Sequence, residues 1–571
     1  MKKEIYMKNN TFFKLFVIFI IAFLFRIYML DKPEGLWNDE YMGWYIASKN
    51  SITDFISELM KNCHMPFYYI YLKLWMFLFG DTDYTLRLSS VIPSLLSVII
   101  MYFVGKEFKD EKIGLMAATL TAISSFNIYF AQEMRLYSLI FLFSSIQLLF
   151  FLKLIKEQNK KNILFFIISN IMLFFTHTLG IAFAGINFIV ILYYFYKHNE
   201  KNKEIFKKLI NLLKKISPII FCLILLSPLI INIIFTPSLS QFWSQFNFSK
   251  VLFLFTDYFS PIQLSILSPP SSFIKLVFSN EEIKWDFIFF AIIPTVIAII
   301  SILISIKQNK KPLNYALLSS LIFLIFLILV SISGRMILLT KYSVEIYPTL
   351  IIALSIGLLS IKRNYLKKVS IILFITINLF YLCFASNAVH KRTRTEGHYA
   401  PIKLLKATKL KSSDQVILTF YDTNRFEKYI DEKANYNYSS IHKSNFQELM
   451  FEVDSYDEYV RMISQGKNIY REYFKTYPNK RLVEYIKTEY ISNMRKGDRI
   501  ALVYMKNISI YTNYDVQKII ENDKKYKQTN IVFLAFSHLI NNILYTFDKE
   551  LELESLTKAG DWFLVVYVKT K

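Results

Sequence analysis

The amino-acid pattern predicts a polytopic α-helical membrane protein of about eleven transmembrane helices, followed by a C-terminal soluble α/β domain. Three features carry that expectation. The 571 residues are 54% hydrophobic, and apolar runs recur from Thr11 to Ser386 and then stop. Each run is about the ~20 residues that cross a ~30 Å hydrocarbon core. Lysine-rich connectors separate the runs, and beyond Asn387 the composition becomes that of a soluble domain.

Taken in order, a basic start (Lys2, Lys3, Lys8, Lys14) precedes an apolar run from Leu15 to Leu30 that only Arg26 interrupts. No small-residue cleavage site follows, so this run is expected to remain as a signal anchor with the N-terminus cytoplasmic. Spans are expected at 11–30, 84–104, 113–130, 136–155, 162–177, 178–196, 216–235, 286–306, 313–333, 343–361 and 368–386. The stretch 65–80 decides the orientation of the rest. If it does not cross, the lysine-rich connectors 106–112, 153–161, 197–215, 307–311 and 362–368 all share the side of the basic N-terminus. If it crosses, they all face outward, against the positive-inside rule. Its shortness and its central Lys73 also favour an interfacial or re-entrant helix. The loops 31–83, 132–135 and 236–285, the turn at His177, the loop 334–341 and the C-terminal tail then face outward.

Two domains follow, 1–386 in the membrane and 387–571 outside it, joined by a basic linker (His390, Lys391, Arg392, Arg394). Within the second, 415–420, 500–505, 531–536 and 562–568 have strand patterns, with helical patterns at 514–520 and 539–547. No glycine-rich phosphate loop follows any of these strands. The net charge of +23 sits mainly in short connectors, so it reports membrane orientation and not a nucleic-acid partner. Cys63, Cys222 and Cys383 are the only cysteines, which leaves the tail without a disulfide framework.

Candidate chemistry gathers in the outward segments. Asp39 and Glu40 lie just past the first span, flanked by Trp37, Tyr41 and Trp44 at head-group depth. Helix capping by Asn38 or Asp39 is the local structural alternative. His64 and Arg87 bracket the interfacial stretch, and Glu133, Arg135 and Tyr137 occupy the third outward turn, where an Arg–Glu pair can also snorkel or pair locally. His177 ends a span, and Arg335, Lys341 and Tyr342 precede another. A carboxylate pair with several cations on one membrane face suits transfer from a lipid-linked sugar phosphate. Phosphate already leaves well, so one base and one phosphate clamp suffice without the second carboxylic acid of a glycosidase.

At these residues the chain resembles the GT-C glycosyltransferases, specifically the family 39-like group of protein mannosyltransferases and the aminoarabinose transferase that acts on lipid A. The resemblance covers roughly 11–386. It rests on Asp39-Glu40, on His64-Met65-Pro66-Phe67-Tyr68-Tyr69 where the family often has His-Pro-Pro-Leu-Tyr-Tyr, and on Leu86-Arg87-Leu88. Gln132-Glu133-Met134-Arg135-Leu136-Tyr137, Thr176-His177 and the Tyr342 to Pro348 segment complete it. Met65 for a usual proline, and Lys341 where an arginine often precedes the tyrosine, are departures; the lysine keeps the charge without the bidentate fork. The resemblance implies an outward-facing active site, a polyprenyl-phosphate sugar donor, an extracytoplasmic acceptor and a catalytic Asp39. Asp39 would act as base or as ligand to a divalent metal ion, and no compact His/Cys/carboxylate ligand spacing decides which. Two rival readings compete, a lipid or polysaccharide transporter and a non-catalytic membrane scaffold. A transporter predicts mid-span charges and broken helices, whereas the charges singled out here gather at outer span ends.

Overall fold

A computed structural model describes residues 2–198 except 29, 32–34 and 62–64, then 249–260, 288–308 and 311–383 except 336 and 381. Beyond these it describes 415–418, 437–440, 487–505 except 493, 551–559 and 562–570, with 231, 246, 278–279 and 282–283 as isolated pieces. The expected span 216–235, the strand 531–536 and the helices 514–520 and 539–547 lie outside the described residues. The chain divides into two compact units, one of 1–31 with 42–392 and one of 32–41 with 393–571.

The first unit is helical. Its elements, with the head of the second in the second unit, are α1 (Lys2–Ile27), α2 (Asn38–Ser48), α3 (Ile52–Lys61), α4 (Pro66–Phe79), α5 (Asp83–Phe108), α6 (Glu111–Ile123) and α7 (Ser125–Ala131). There follow α8 (Tyr137–Lys156), α9 (Lys160–Thr176), α10 (Thr178–His198), α11 (Ser249–Phe259), α12 (Ile293–Lys307), α13 (Lys311–Ile332), α14 (Tyr347–Ser360) and α15 (Asn364–Phe380). Among the described residues five helices are long and apolar enough to cross a bilayer, and the bent pair α6–α7 makes a sixth. Large apolar side chains such as Ile189, Leu303 and Leu329 lie exposed on them, as expected of surfaces whose solvent is lipid.

Local chemistry sets the helix starts. Thr82, Asp110, Ser124 and Asn159 cap α5, α6, α7 and α9, each side chain accepting from a backbone N–H three residues on. The expected span 113–130 is two helices, bent by 57° where Ser124 ends α6 and caps α7. Breaking the helix frees carbonyls, and Arg26 supplies donors to them. Its buried guanidinium donates to Ala122 O at 3.0 Å and Thr121 O at 3.2 Å, and also to Ser94 Oγ at 2.8 Å and Ala22 O at 3.0 Å. The charge inside α1 therefore fastens α1 to α5 and α6. Close backbone approach does the same elsewhere. A Cβ on Gly357 of α14 would come within 1.8 Å of Ser301 O on α12, so only glycine fits there.

The stretch 65–80 forms α4, whose 14 residues run from Pro66 to Phe79 and stop at Gly80, a positive-φ residue. It rises about 21 Å, short of the ~30 Å core, which fits a helix lying in the interface. Its Tyr68, Tyr69 and Leu72 are buried, while Phe77, Leu78 and Phe79 are exposed. Lys73 donates to the carbonyls of Ala47 and Lys49, capping the C-terminal end of α2.

The second unit carries a five-stranded mixed sheet. After a two-stranded ribbon in the first unit, β1 (Phe278–Ser279) with β2 (Glu282–Ile283), come β3 (Gln415–Leu418), β4 (Asn437–Ser440), β5 (Arg499–Met505), β6 (Leu551–Ala559) and β7 (Trp562–Lys569). The sheet order is β4-β3-β5-β7-β6, parallel at β4–β3–β5 and antiparallel at β5–β7–β6. Three of these strands coincide with the patterns at 415–420, 500–505 and 562–568. β6 has no such pattern, because a bulge between Leu553 and Ser555 breaks its alternation.

Candidate functional site

Asp39 and Glu40 sit in the first turn of α2. The backbone N–H of Trp37 donates to Glu40 Oε2 at 3.3 Å, and that of Tyr41 donates to Trp37 O at 2.8 Å. This is the reach-back half of a capping box, and Glu40 is buried. Asp39 is partly exposed. His64 lies outside the described residues.

Arg87 is buried at the head of α5 and donates to Leu30 O at 3.3 Å, holding the chain where it leaves α1. The turn between α7 and α8 is buried throughout: Gln132, Glu133, Met134, Arg135 and Tyr137 all lie inside. Gln132 Nε2 donates to Tyr28 O at 2.9 Å and Phe25 O at 3.1 Å, satisfying carbonyls at the end of α1. Tyr68 of α4 donates to Met134 O at 2.8 Å, and Ser90 Oγ of α5 donates to Arg135 O at 3.2 Å. The Arg135 guanidinium lies 5.8 Å from the Tyr137 ring centroid. Three helices thus fix the backbone that carries Glu133 and Arg135.

A second group forms where α9 meets α10 and where the chain enters α14. His177 ends α9 in extended conformation and its ring stacks on Tyr342 at 5.7 Å. Lys341 Nζ lies 5.2 Å from the same Tyr342 ring. His177 is therefore a neighbour of a segment that lies more than 160 positions further along the chain. Arg335 follows Gly334, whose φ of +100° turns the chain at the end of α13, and it is partly buried.

The structure adds residues that the sequence pattern does not single out. Glu345, in the turn before α14, is fully buried with Oε1 at 3.4 Å from His177 Nδ1. Asp257 of α11 accepts from Thr340 Oγ1 at 2.6 Å. The adjacent Tyr258 hydroxyl lies 2.6 Å from both the carbonyl and the hydroxyl of Ser343. Burial pushes that phenol well above its ordinary range, so it stays a donor. Tyr347 donates to Tyr258 O at 2.7 Å. Together these bonds hold the segment carrying Lys341 and Tyr342 against α11. The available signal was a lone acid: Glu345 is the single carboxylate between Gly334 and Ser386. Among the described residues no three His, Cys, Asp or Glu side chains gather as a metal cage.

Residues 63–231 match the family model described as dolichyl-phosphate-mannose-protein mannosyltransferase. No curated protein matches the chain in sequence. Among solved structures, ArnT from Cupriavidus metallidurans in the apo state aligns over 98% of both chains at 11% identity with a TM-score of 0.52. The same protein bound to undecaprenyl phosphate gives 0.50 over the same shares. An oligosaccharyltransferase of Archaeoglobus fulgidus aligns over 98% of this chain and 88% of its own at 11% identity, with a TM-score of 0.42. The family match covers 63–231 of the 571 residues, and the likeness to ArnT, at 11% identity along the whole chain, shows a shared fold.

Proposed function

We propose that the protein transfers a sugar, mannose or a similar hexose or pentose, from a polyprenyl-phosphate-linked donor to an extracytoplasmic protein, lipid or polysaccharide acceptor. The observation that carries this reading is the match of 63–231 to a family named for a dolichyl-phosphate-mannose donor. ArnT, whose fold the chain shares, binds undecaprenyl phosphate, a donor carrier of the same chemical class. In this proposal eleven spans put the N-terminus in the cytoplasm, and the loop 31–83 and the C-terminal α/β domain outside.

Asp39 accepts the proton of the acceptor hydroxyl. The hydroxyl oxygen bonds to the anomeric carbon while the bond from that carbon to phosphate oxygen breaks, its electron pair leaving on the polyprenyl phosphate, and the configuration inverts. The exposure of Asp39 beside a buried, cap-forming Glu40 supports this division of labour. A divalent ion, where one takes part, would be held by Asp39 and would supply Lewis-acid help to the departing phosphate. Arg135, Arg335 and Lys341 neutralise that phosphate, with His64, Arg87, Glu133, Tyr137, His177 and Tyr342 contributing contacts.

The test is incubation of the purified chain with radiolabelled polyprenyl-phosphate sugars and membrane extracts, followed by identification of the labelled product. Label passing to one acceptor class is the expected result. Label remaining on the lipid with every donor, from a folded chain, overturns the reading.

A further inference from the structure

The chain enters α14 through two single 3-10 turns, Thr340–Tyr342 and Val344–Ile346. Turns this short have little strength of their own, so their orientation depends on what grips their side chains. At three residues per turn, positions 340 and 343 fall on one face. Both are buried, whereas Lys341 and Tyr342 between them are half-buried. The buried face meets two consecutive residues of α11. Asp257 accepts from Thr340 Oγ1 at 2.6 Å, and the Tyr258 hydroxyl lies 2.6 Å from both oxygens of Ser343. α11 is itself anchored, because the Tyr347 hydroxyl donates to Tyr258 O at 2.7 Å and lies 2.8 Å from Ser124 Oγ, the cap of α7. The Tyr258 and Tyr347 rings stack at 4.8 Å. A line of hydrogen bonds thus runs from the break between α6 and α7, through α11, to the two residues that flank Lys341 and Tyr342.

We propose that Tyr258 is a positioning residue whose hydroxyl, with Asp257 beside it, fixes the first turn so that Lys341 stands at the phosphate of the lipid-linked sugar. The proposal rests on the donor class inferred above. An ammonium on a four-carbon stem is a mobile point charge, and holding its backbone is what makes its position reproducible. Tyr258 is buried and bonded to Ser343, so it touches no substrate and acts only through the turn. A hydroxyl that served the fold alone would weaken donor binding by the same factor whether or not Lys341 is present, because independent effects add. One that acts through Lys341 loses its effect when the lysine is removed.

The test uses the full chain in detergent and has two arms. In the first, hydrogen exchange read by mass spectrometry follows the segment 339–346, where the amides of Tyr342 and Ser343 donate to Leu339 O and Thr340 O. Tyr258→Phe keeps the ring and its stacking on Tyr347 while removing the hydroxyl, and exchange there should quicken roughly fivefold or more. In the second arm, binding of undecaprenyl-phosphoryl mannose is measured. Tyr258→Phe should weaken it roughly fivefold and Lys341→Ala roughly tenfold. In the Lys341→Ala background the further loss from Tyr258→Phe should shrink to less than about twofold. Thr340→Val, which removes the hydroxyl bonded to Asp257, should repeat this pattern, and Thr340→Ser, which restores it, should recover most of the binding. Equal losses from Tyr258→Phe with and without Lys341, or binding that Tyr258→Phe leaves unchanged, overturn the proposal. If Tyr258→Phe does not fold, Thr340→Val carries the same cycle with the same two outcomes. Unchanged exchange in the first arm overturns the clamp whatever the donor. Failure of the wild-type chain to bind the donor removes the donor reading itself, a result distinct from equal losses in a chain that binds it.

Discussion

Asp39 and Glu40 are adjacent carboxylates with different surroundings, and their substitutions should separate chemistry from capping. Asp39→Asn keeps size and polarity but cannot take a proton or serve as an anionic ligand. Transfer should fall by the ~10²–10⁴-fold typical of a lost general base, with thermal unfolding unchanged. Glu40→Gln keeps an acceptor for the Trp37 N–H, and glutamine serves in capping boxes, so stability and turnover should both stay near wild type. A stable Asp39→Asn protein with full turnover would remove the base from this position. Arg135→Ala and Arg335→Ala should each weaken donor use roughly tenfold or more, since charge-assisted phosphate contacts contribute about 1.5–3 kcal/mol. Donor KM for the two purified variants measures this, and unchanged values would leave both as anchors. Residue type and place at a span end single out this set in the sequence. The work of Gln132 was not legible there, because it bonds carbonyls 104 and 107 positions earlier in the chain and no spacing rule reaches that far. Glu345 was passed over for the same reason, its partner lying 168 positions away.

Helix boundaries were the most legible part, because apolar length and cap residues are local. α5, α8, α10 and α13 each match an expected span to within a few residues, and α12 begins seven residues inside its expected span. The break at Ser124 was hidden, since serine and threonine are tolerated in continuous membrane helices and only the tertiary partners Arg26 and Tyr347 show why this one opens. β6 was hidden by its bulge. The close approach of α12 and α14 gives an element-level prediction. Gly357→Ala would bring its Cβ to 1.8 Å from Ser301 O and force the backbones apart, which should lower stability by about 1–3 kcal/mol without touching a candidate site residue. Thermal unfolding in detergent measures the loss, and an unchanged midpoint would mean that the two helices slide freely.

For the molecule entire, orientation follows from whether 65–80 crosses, and α4 is too short to do so without thinning the bilayer. Protease added to intact spheroplasts should therefore remove the region after Asn387 and spare the lysine-rich connector 197–215. Cleavage in that connector with the tail protected would invert the topology and put the loop 31–83 in the cytoplasm. Membrane character was legible in composition alone, while the grouping of 32–41 with 393–571 was not, because it depends on packing between segments far apart in sequence. The guanidinium inside α1 also bears on how the protein is made. Its carbonyl partners at Thr121 and Ala122 are 95 and 96 residues downstream, so at ~5–20 residues per second they leave the ribosome about 5–20 s after Arg26 does. Through that interval a lone charged helix is a poor lipid-facing segment. Arg26 finds its final partners only once α5 and α6 have been made, so the packing of α1 is completed together with those two helices.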